Sequence, residues 1–330
     1  MKVVSFFHLK EVRWAIPEQE IAAIRAELPQ VEICSVEDEA DLPAAIADAD
    51  AFVGWILPAR AFAHAKRLRW VHSANAGVEA ILYPEMVESD VVLTNGAGLH
   101  SVSIPEHVLG MMLAFSRNLH QALRVQARGQ WDRFGVIVFG GGIRELAGSN
   151  LAIFGAGAIG RSLALLAAGL GMNVRVLRRR PDKPVPGAEA VVGPQDKLAL
   201  LSWADFVVLA TPSTPETVNL IDREALRAMK SSAYLINVAR GDAIDDEALV
   251  EALRSGAIAG AGLDAFREEP LPPSSPYWSM ENVILTPHVS GYTSDYFGRT
   301  LELFRDNLRR FVNSEPLRNV VNKRLGYVEE

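Results

Sequence analysis

The chain has 330 residues, 49% of them apolar and 22% charged, which is typical of a globular protein with two domains. Its formal net charge of −7 at pH 7 argues against nucleic acid or an acidic membrane as a general partner. Cys34 is the only cysteine, so an intramolecular disulfide and a cysteine-based metal cluster are excluded, and we predict no metal site. The first residues form a strand pattern followed by charges instead of a signal peptide, which predicts a cytoplasmic location.

The first region of the chain, residues 1–95, alternates short apolar runs with helical patterns. This alternation is typical of a parallel sheet covered by helices, in which ligands bind at the loops that follow the strands. The predicted strands are 3–7, 31–36, 51–56, 68–73 and 91–94, and the predicted helices are 17–28, 43–49, 61–66 and 78–87.

Two loops of this region are candidate ligand sites. Trp55 follows the third strand, and Asn75, Ala76 and Gly77 follow the fourth strand, directly before a predicted helix. Backbone N–H groups at such a position suit a carboxylate. An ordinary strand-to-helix turn explains the same residues equally well, so the sequence of this loop leaves both interpretations open.

The glycine-rich stretch 95–98 predicts a hinge into a long helix over 103–128. Residues 129–148, which include Trp131 and Phe134, predict an irregular connection that acts as a subunit-contact arm or a mobile loop. Three histidines of this region are predicted to cap or pack, because no carboxylate motif accompanies them: His100, His107 and His120.

Residues 151–177 predict a nucleotide-binding unit of strand, turn, helix and strand. Gly155, Gly157 and Gly160 form the G-x-G-x-x-G pattern between an apolar strand and an apolar helix. The first glycine allows the tight turn, the second admits a pyrophosphate, and the third lets the helix lie close to the strand. The motif alone is weak evidence, but its position between these elements predicts a Rossmann domain. A membrane span is the poorer interpretation, because Arg161 and five glycines interrupt the apolar run.

An arginine run, Arg178, Arg179 and Arg180, ends the second strand of this unit. Units that bind NAD place an acidic residue at about this position, to hold the ribose 2′-hydroxyl. Guanidinium groups instead attract a 2′-phosphate and can bind it with two hydrogen bonds. The run therefore predicts NADP(H) in preference to NAD(H), with a solvated basic loop as the alternative.

Polar residues follow the later predicted strands of the same sheet. Arg240, Asp264 and His288 lie at strand ends, and Glu269 lies in the loop beyond Asp264. Carbonyl reduction beside a nicotinamide needs a cation for a substrate carboxylate, an acid for the carbonyl oxygen, and a carboxylate that orients the acid. Arg240, His288 and Glu269 match these needs in turn. Taken singly, each residue is better explained by surface pairing, capping or solvation, but their order after the glycine motif favours a site.

Four motifs carry a family resemblance: Gly-Ala-Gly-Ala-Ile-Gly (155–160), Ile-Asn-Val-Ala-Arg-Gly (236–241), Ala-Gly-Leu-Asp-Ala-Phe with Glu-Glu-Pro (261–270), and Leu-Thr-Pro-His (285–288). This series resembles the D-isomer-specific 2-hydroxyacid dehydrogenase family over most of residues 68–327. The basic run is similar to the NADPH-dependent glyoxylate/hydroxypyruvate reductase branch.

The resemblance implies two doubly wound parallel-sheet domains, a flavodoxin-like substrate domain (1–98 plus 292–330) and a Rossmann cofactor domain (99–291). It implies a homodimer with an arm near 110–148. It implies Arg240 as substrate clamp, Glu269 and His288 as the acid–base pair, and Asp264 near the nicotinamide. It further implies substrate contacts from Trp55 and from the backbone at Asn75, Ala76 and Gly77. Other expected cofactor contacts, besides the three motif glycines and the arginine run, are Ala158, Ile159, Thr211, Pro212, Thr217, Val238, Ala239 and Gly291.

The sequence thus predicts an NADPH-dependent reductase that converts small 2-oxoacids to D-2-hydroxy acids. Two alternatives remain open at this stage. One is a cofactor-sensing binding protein of the same fold, similar to the C-terminal-binding corepressors, because a fold alone does not fix a function. The other is a relative of the NAD-dependent phosphoglycerate or formate dehydrogenases.

Overall fold

The computed structural model describes residues 1–9 and 12–329, which form two compact units. The first unit consists of Met1–Leu99 and Ser294–Glu330, and the second of His100–Thr293. Each unit is built on a parallel sheet with helices, so the predicted fold class is confirmed. Within residues 1–9 and 12–329, no helix combines the length and the apolar character needed to cross a membrane.

The first unit opens with six strands and four helices in alternation. The strands are β1 (Lys2–Leu9), β2 (Val12–Trp14), β3 (Glu32–Ser35), β4 (Ala51–Gly54), β5 (Trp70–Ser73) and β6 (Val92–Thr94). The helices are α1 (Glu18–Glu27), α2 (Leu42–Ile46), α3 (Ala59–Phe62) and α4 (Pro84–Glu88). The parallel order β3-β1-β4-β5-β6 is the flavodoxin-like order, and β2 adds an antiparallel pairing to the end of β1.

The second unit contains a seven-stranded parallel sheet. Its strands are β7 (Asn150–Phe154), β8 (Asn173–Leu177), β9 (Ala190–Val192), β10 (Phe206–Leu209), β11 (Tyr234–Asn237), β12 (Gly260–Leu263) and β13 (Val283–Leu285). Its helices are α5 (Ser103–Ser116), α6 (Leu119–Ala127), α7 (Arg133–Val138), α8 (Ala158–Gly169), α9 (Lys197–Trp203), α10 (Arg223–Ala228) and α11 (Asp246–Ser255). The order β13-β12-β11-β10-β7-β8-β9 reverses between β7 and β10, as in a Rossmann sheet, and ligands of such sheets bind at this switch point.

The last helix, α12 (Tyr296–Val312), belongs to the first unit. Its apolar side packs into the core of that unit, where Phe304 stacks on Trp70 with ring centroids 5.8 Å apart. Leu308 is fully buried in the same cluster. Burial of side chains of this size is the main source of stability for a helix that returns from a distant part of the chain.

Several sequence-based element predictions are wrong in detail. The helix predicted over 103–128 is two helices, because Asn118 between α5 and α6 adopts a left-handed conformation with φ 51°. The stretch predicted as irregular, 129–148, contains α7. The helix predicted over 78–87 is a short 3₁₀ turn, Glu79–Ile81, followed by α4. The short edge strands β2 and β9 and the helices α9 and α10 are not predicted by the pattern.

A buried histidine, His72, lies on β5 among aromatic side chains of the first unit. Its Nδ1 lies 2.8 Å from the Thr94 hydroxyl, to which the Trp70 indole also donates at 2.9 Å. The Nε2 atom of His72 has no hydrogen-bond partner among residues 1–9 and 12–329. Burial therefore lowers the pKa of His72 to about 3.

We expect this histidine to make the protein less stable in acid. Below about pH 6.5 the unfolded chain binds a proton at this position that the native state does not bind until the pH approaches about 3. Native stability should thus fall as the pH is lowered through this window, by about 2 kcal/mol from this group between pH 7.5 and pH 5. Urea unfolding of the wild type, His72→Phe and the exposed-site control His64→Gln measures the effect. Equal pH slopes for the wild type and His72→Phe would contradict it.

Candidate active site

The glycine motif occupies the turn from β7 into α8. Gly155 has φ 111°, a conformation that side chains disfavour, and a Cβ atom there would lie 2.5 Å from the Ala210 carbonyl oxygen. A Cβ atom at Gly160 would lie 2.0 Å from the Gly155 carbonyl oxygen. These two glycines are therefore required by close backbone packing within the unit.

Gly157 has a different environment from the other two motif glycines. It precedes the first turn of α8, formed by Ala158, Ile159 and Gly160, and a Cβ atom on it would meet nothing within 4 Å. The backbone N–H groups of that turn lie at the positive end of the helix dipole, beside this open space, which suits the pyrophosphate of a dinucleotide. The residues present therefore fit the cofactor that the motif predicts.

The loop after β10 lies across the switch point from the glycine motif. The Thr217 hydroxyl donates to the Pro212 carbonyl at 2.8 Å and accepts the Thr214 N–H at 2.8 Å, so the loop is held by its own side chains. The Thr211 hydroxyl is buried and has no hydrogen-bond partner among the described residues. An unsatisfied buried hydroxyl beside the motif is a position where a bound cofactor would supply the missing partner.

The arginine run follows β8 on the other side of β7. Arg178 is half-buried, whereas Arg179 and Arg180 are exposed. The pKa of Glu216 is lowered, chiefly by a hydrogen bond from the Thr214 side chain and in smaller part by the charge of Arg179. The positive charge of Arg179 therefore acts on the loop after β10. The loops after β8 and β10 flank the glycine motif.

Arg240 lies in a turn that the buried Asn237 side chain fixes. The Asn237 amide donates to the Arg240 carbonyl at 2.9 Å and accepts the Ala239 N–H at 3.0 Å. Val238 and Ala239 are almost fully buried, while Arg240 is half-buried. One guanidinium nitrogen donates to the Ala239 carbonyl at 2.9 Å, so the side chain is held at the carboxyl end of β11.

Glu269 and His288 form a direct pair. His288 Nδ1 lies 2.8 Å from Glu269 Oε2, and the other carboxylate oxygen accepts the Phe266 N–H at 2.9 Å. The side chains of His288 and Glu269 are 47% and 37% exposed, so the pair can reach a small molecule. Because the carboxylate holds Nδ1, the free Nε2 atom of the ring is the one that can give or take a proton.

Asp264 is buried at the end of β12 and accepts hydrogen bonds from the loop that carries His288. The next loop segment is also tied to α5, since the Gly291 carbonyl accepts from the Ser103 hydroxyl at 3.2 Å and lies 3.0 Å from His100 Nδ1. These contacts join the loop after β13 to both neighbouring elements of the second unit.

The remaining candidate residues belong to the first unit: Trp55, Asn75, Ala76 and Gly77. Trp55 is 6% exposed, and its ring packs edge-on against Phe7. Its backbone carbonyl accepts from the Asn75 side-chain amide at 3.1 Å. The carbonyls of Asn75 and Ala76 accept from Gly96 and Asn95. The N–H groups of Ala76 and Gly77 donate to no described residue. The loop does not open a regular α-helix, so only these backbone N–H groups support carboxylate binding.

Comparison with known proteins decides the family. Residues 109–290, more than half of the chain, match the family described as "D-isomer specific 2-hydroxyacid dehydrogenase, NAD binding domain". The chain belongs to this family. The resemblance found in the four motifs is thereby confirmed, and the protein is a member of a family of oxidoreductases.

Individual relatives match nearly the whole chain. A glyoxylate reductase from Thermococcus gammatolerans is 34% identical over 326 residues, 96% of each chain. A D-3-phosphoglycerate dehydrogenase from Methanocaldococcus jannaschii is 34% identical over 91% of this chain, which spans only 56% of that protein's length. Among solved structures, the NADPH-dependent glyoxylate/hydroxypyruvate reductase from Sinorhizobium meliloti, in complex with NADP and sulfate, has a TM-score of 0.82 and 26% identity, with 99% of each chain covered.

The structure brings some of the predicted residues of this family member into contact and leaves others apart. Glu269 and His288 are in direct contact, whereas Arg240 and the cofactor candidates share the carboxyl edge of the same sheet. Two further polar residues, Thr286 and His107, were not predicted for the site. The Thr286 hydroxyl donates to Asp264, and His107 Nε2 lies 3.1 Å from the same hydroxyl oxygen. Thr286 could have been found, since it lies within the Leu-Thr-Pro-His motif, whereas His107 was expected only to cap or pack.

Proposed function

We propose that this family member is an NADPH-dependent reductase of small 2-oxoacids, similar to glyoxylate and hydroxypyruvate, that forms D-2-hydroxy acids. The observation that carries the proposal is the Glu269–His288 pair at the sheet edge that also presents the glycine motif. A carboxylate-held imidazole is the arrangement that general acid–base catalysis requires. The phosphoglycerate dehydrogenase relative makes oxidation of a phosphorylated hydroxy acid with NAD the second candidate.

Each residue of the proposed site has a separate role in the reduction. The Arg240 guanidinium holds the substrate carboxylate through two hydrogen bonds and polarises the adjacent carbonyl. The backbone N–H groups of Ala76 and Gly77 in the first unit are a separate candidate for carboxylate binding. His288 gives a proton from Nε2 to the carbonyl oxygen, while Glu269 keeps the ring oriented and compensates its positive charge. When bound, the nicotinamide cofactor supplies the hydride that reduces the carbonyl carbon.

A turnover assay tests the function directly. Purified protein is incubated with NADPH and glyoxylate, hydroxypyruvate or bulkier 2-oxoacids, and in parallel with NAD and 3-phosphoglycerate. We expect cofactor oxidation with the small 2-oxoacids and a D-configured product. Binding of NADPH without turnover of any 2-oxoacid would instead support the cofactor-sensing protein, and turnover only with NAD and phosphoglycerate would support the second candidate.

The cofactor preference is expected to depend on the arginine run. Double substitution of Arg178 and Arg179 by Ala should lower kcat/KM for NADPH by at least about 10- to 100-fold, because the loss of even one charge-assisted hydrogen bond to a phosphate costs about 1.5–3 kcal/mol. The value for NADH should change little. Arg175→Ala is a matched control, since this arginine of β8 pairs with Glu189 at 2.9 Å and lies over the Trp203 ring. An NADH preference that the double substitution leaves unchanged would refute the cofactor proposal.

We also propose a homodimer. Large apolar side chains of α6, α7 and their connection are exposed, with Trp131 at 94%, Phe134 at 76% and Val138 at 68%. An apolar surface of this kind is one that a subunit interface covers. Light scattering of the wild type and of Trp131→Asp measures the mass, and a monomeric wild type would contradict the proposal.

A further inference from the structure

The turn that carries His288 has an unusual backbone. His288 has φ 52°, in the left-handed region that residues with a Cβ atom rarely adopt. The backbone N–H of His288 donates a hydrogen bond to the Thr286 carbonyl at 3.0 Å, so the chain reverses within three residues of the end of β13. Such a conformation persists only where surrounding contacts hold it.

The carboxylate of Asp264 provides contacts on both sides of this residue. Its Oδ1 atom accepts the Thr286 hydroxyl at 2.6 Å, two positions before His288, and the Val289 N–H at 2.9 Å, directly after it. Its Oδ2 atom accepts the Ser290 N–H at 3.0 Å. Asp264 is 1% exposed, so these protein groups replace the water that would otherwise solvate the charge.

The Thr286 hydroxyl is held from a second side by α5. It donates its hydrogen to Asp264 and therefore accepts from His107, whose Nε2 atom lies 3.1 Å away. This contact assigns the Nε2–H form to the His107 ring, because an unprotonated Nε2 would face the oxygen lone pairs. The same Nε2 atom lies 4.0 Å from Asp264 Oδ1.

From this geometry we infer that Asp264, Thr286 and His107 are positioning residues that hold the His288 turn in its left-handed conformation. We call the three residues the Asp264 clamp. The inference rests on the proposed function, since it deepens the role given there to His288, and it adds Thr286 and His107, to which the sequence analysis gave no part in holding the acid. The clamp sets the direction of the His288 ring through its backbone, while Glu269 sets it through Nδ1.

Substitutions at Thr286 test the clamp. Thr286→Val keeps the side-chain shape but removes the hydroxyl, and we expect kcat for 2-oxoacid reduction to fall by about 10- to 100-fold, because small misplacements of a catalytic group have effects of this size. The KM for NADPH should stay unchanged. Thr286→Ser restores the hydroxyl and should restore most of the rate. His107→Leu should behave like Thr286→Val, whereas His107→Gln retains a donor nitrogen and should not.

A second readout does not need activity. In protein labelled at histidine, the His288 ring resonance, assigned with His288→Gln, should move in Thr286→Val and return in Thr286→Ser. If the ring resonance moves in this way but the wild type reduces no 2-oxoacid, the proposed function fails and the clamp stands. A ring resonance and a kcat that Thr286→Val and His107→Leu leave unchanged would overturn the clamp. A raised KM for NADPH with unchanged kcat would also overturn it, since the network would then act on the cofactor.

Discussion

Replacement of His288 by Gln is expected to lower kcat for 2-oxoacid reduction by about 10²–10⁴-fold, the usual contribution of general acid–base catalysis. Gln cannot transfer a proton from the position of Nε2, although its amide still fits beside Glu269. Binding of NADPH should be unaffected, because the glycine motif and the arginine run lie at other strand ends of the sheet. Steady-state kinetics with the best 2-oxoacid, together with a cofactor titration, measures both quantities.

His64→Gln is the matched control for this substitution. His64 is an exposed histidine of the first unit, and none of the candidate site residues is its neighbour in the chain. Its replacement should leave kcat and the cofactor affinity at wild-type values. A His288→Gln enzyme that stays within about twofold of the wild-type kcat, well below the usual acid–base contribution, would remove His288 from the mechanism.

Replacement of Arg240 by Gln should lower kcat/KM for 2-oxoacids by about 30-fold to several thousandfold. Loss of one partner of a hydrogen-bonded charge pair costs about 2–5 kcal/mol, and this range converts to those factors. Arg240→Lys should recover only part of the loss, because an ammonium group keeps the charge but not the planar pair of donors. The carbonyl of residue 240 and its bond from Asn237 do not depend on the side chain, so the turn should persist.

Kinetics with a 2-oxoacid and with the matching aldehyde separates the role of Arg240 from a general loss of structure. The aldehyde lacks the carboxylate, so its slow reduction should be insensitive to Arg240→Gln. Arg254→Gln, at an exposed arginine in the last turn of α11, serves as a control for the loss of one surface charge. Equal losses for both substrates would argue against carboxylate recognition by Arg240.

Local sequence determined the parts of this protein that depend on local geometry. Gly160 is required because a Cβ atom there would overlap the Gly155 carbonyl oxygen within the same turn, and this requirement is visible as a spacing in the chain. The alternation of strands and helices likewise predicted two parallel sheets, since each buried strand needs an apolar run of its own. The order of polar residues at strand ends predicted the Glu269–His288 contact region.

Short edge strands and the break between α5 and α6 could not be predicted from local patterns. The edge strands β2 and β9 have three residues each, too few for a periodic signal. The break between α5 and α6 rests on one Asn in a left-handed conformation inside a continuous helical pattern. In that pattern the apolar spacing continues through residue 118, and the tertiary contacts of Asn118 with Val136 and Phe139 carbonyls decide the outcome.

The amino-acid sequence by itself determined the family and the two-sheet architecture and predicted that Glu269 and His288 meet, because ordered motifs encode these features locally. Only the tertiary structure decided what surrounds that pair. His107 and Thr286 are 179 positions apart in the chain, and they meet because α5 packs beside the carboxyl end of β13. A hydrogen bond between distant residues depends on the relative placement of whole elements, and that placement follows from packing in the core, which no local spacing records.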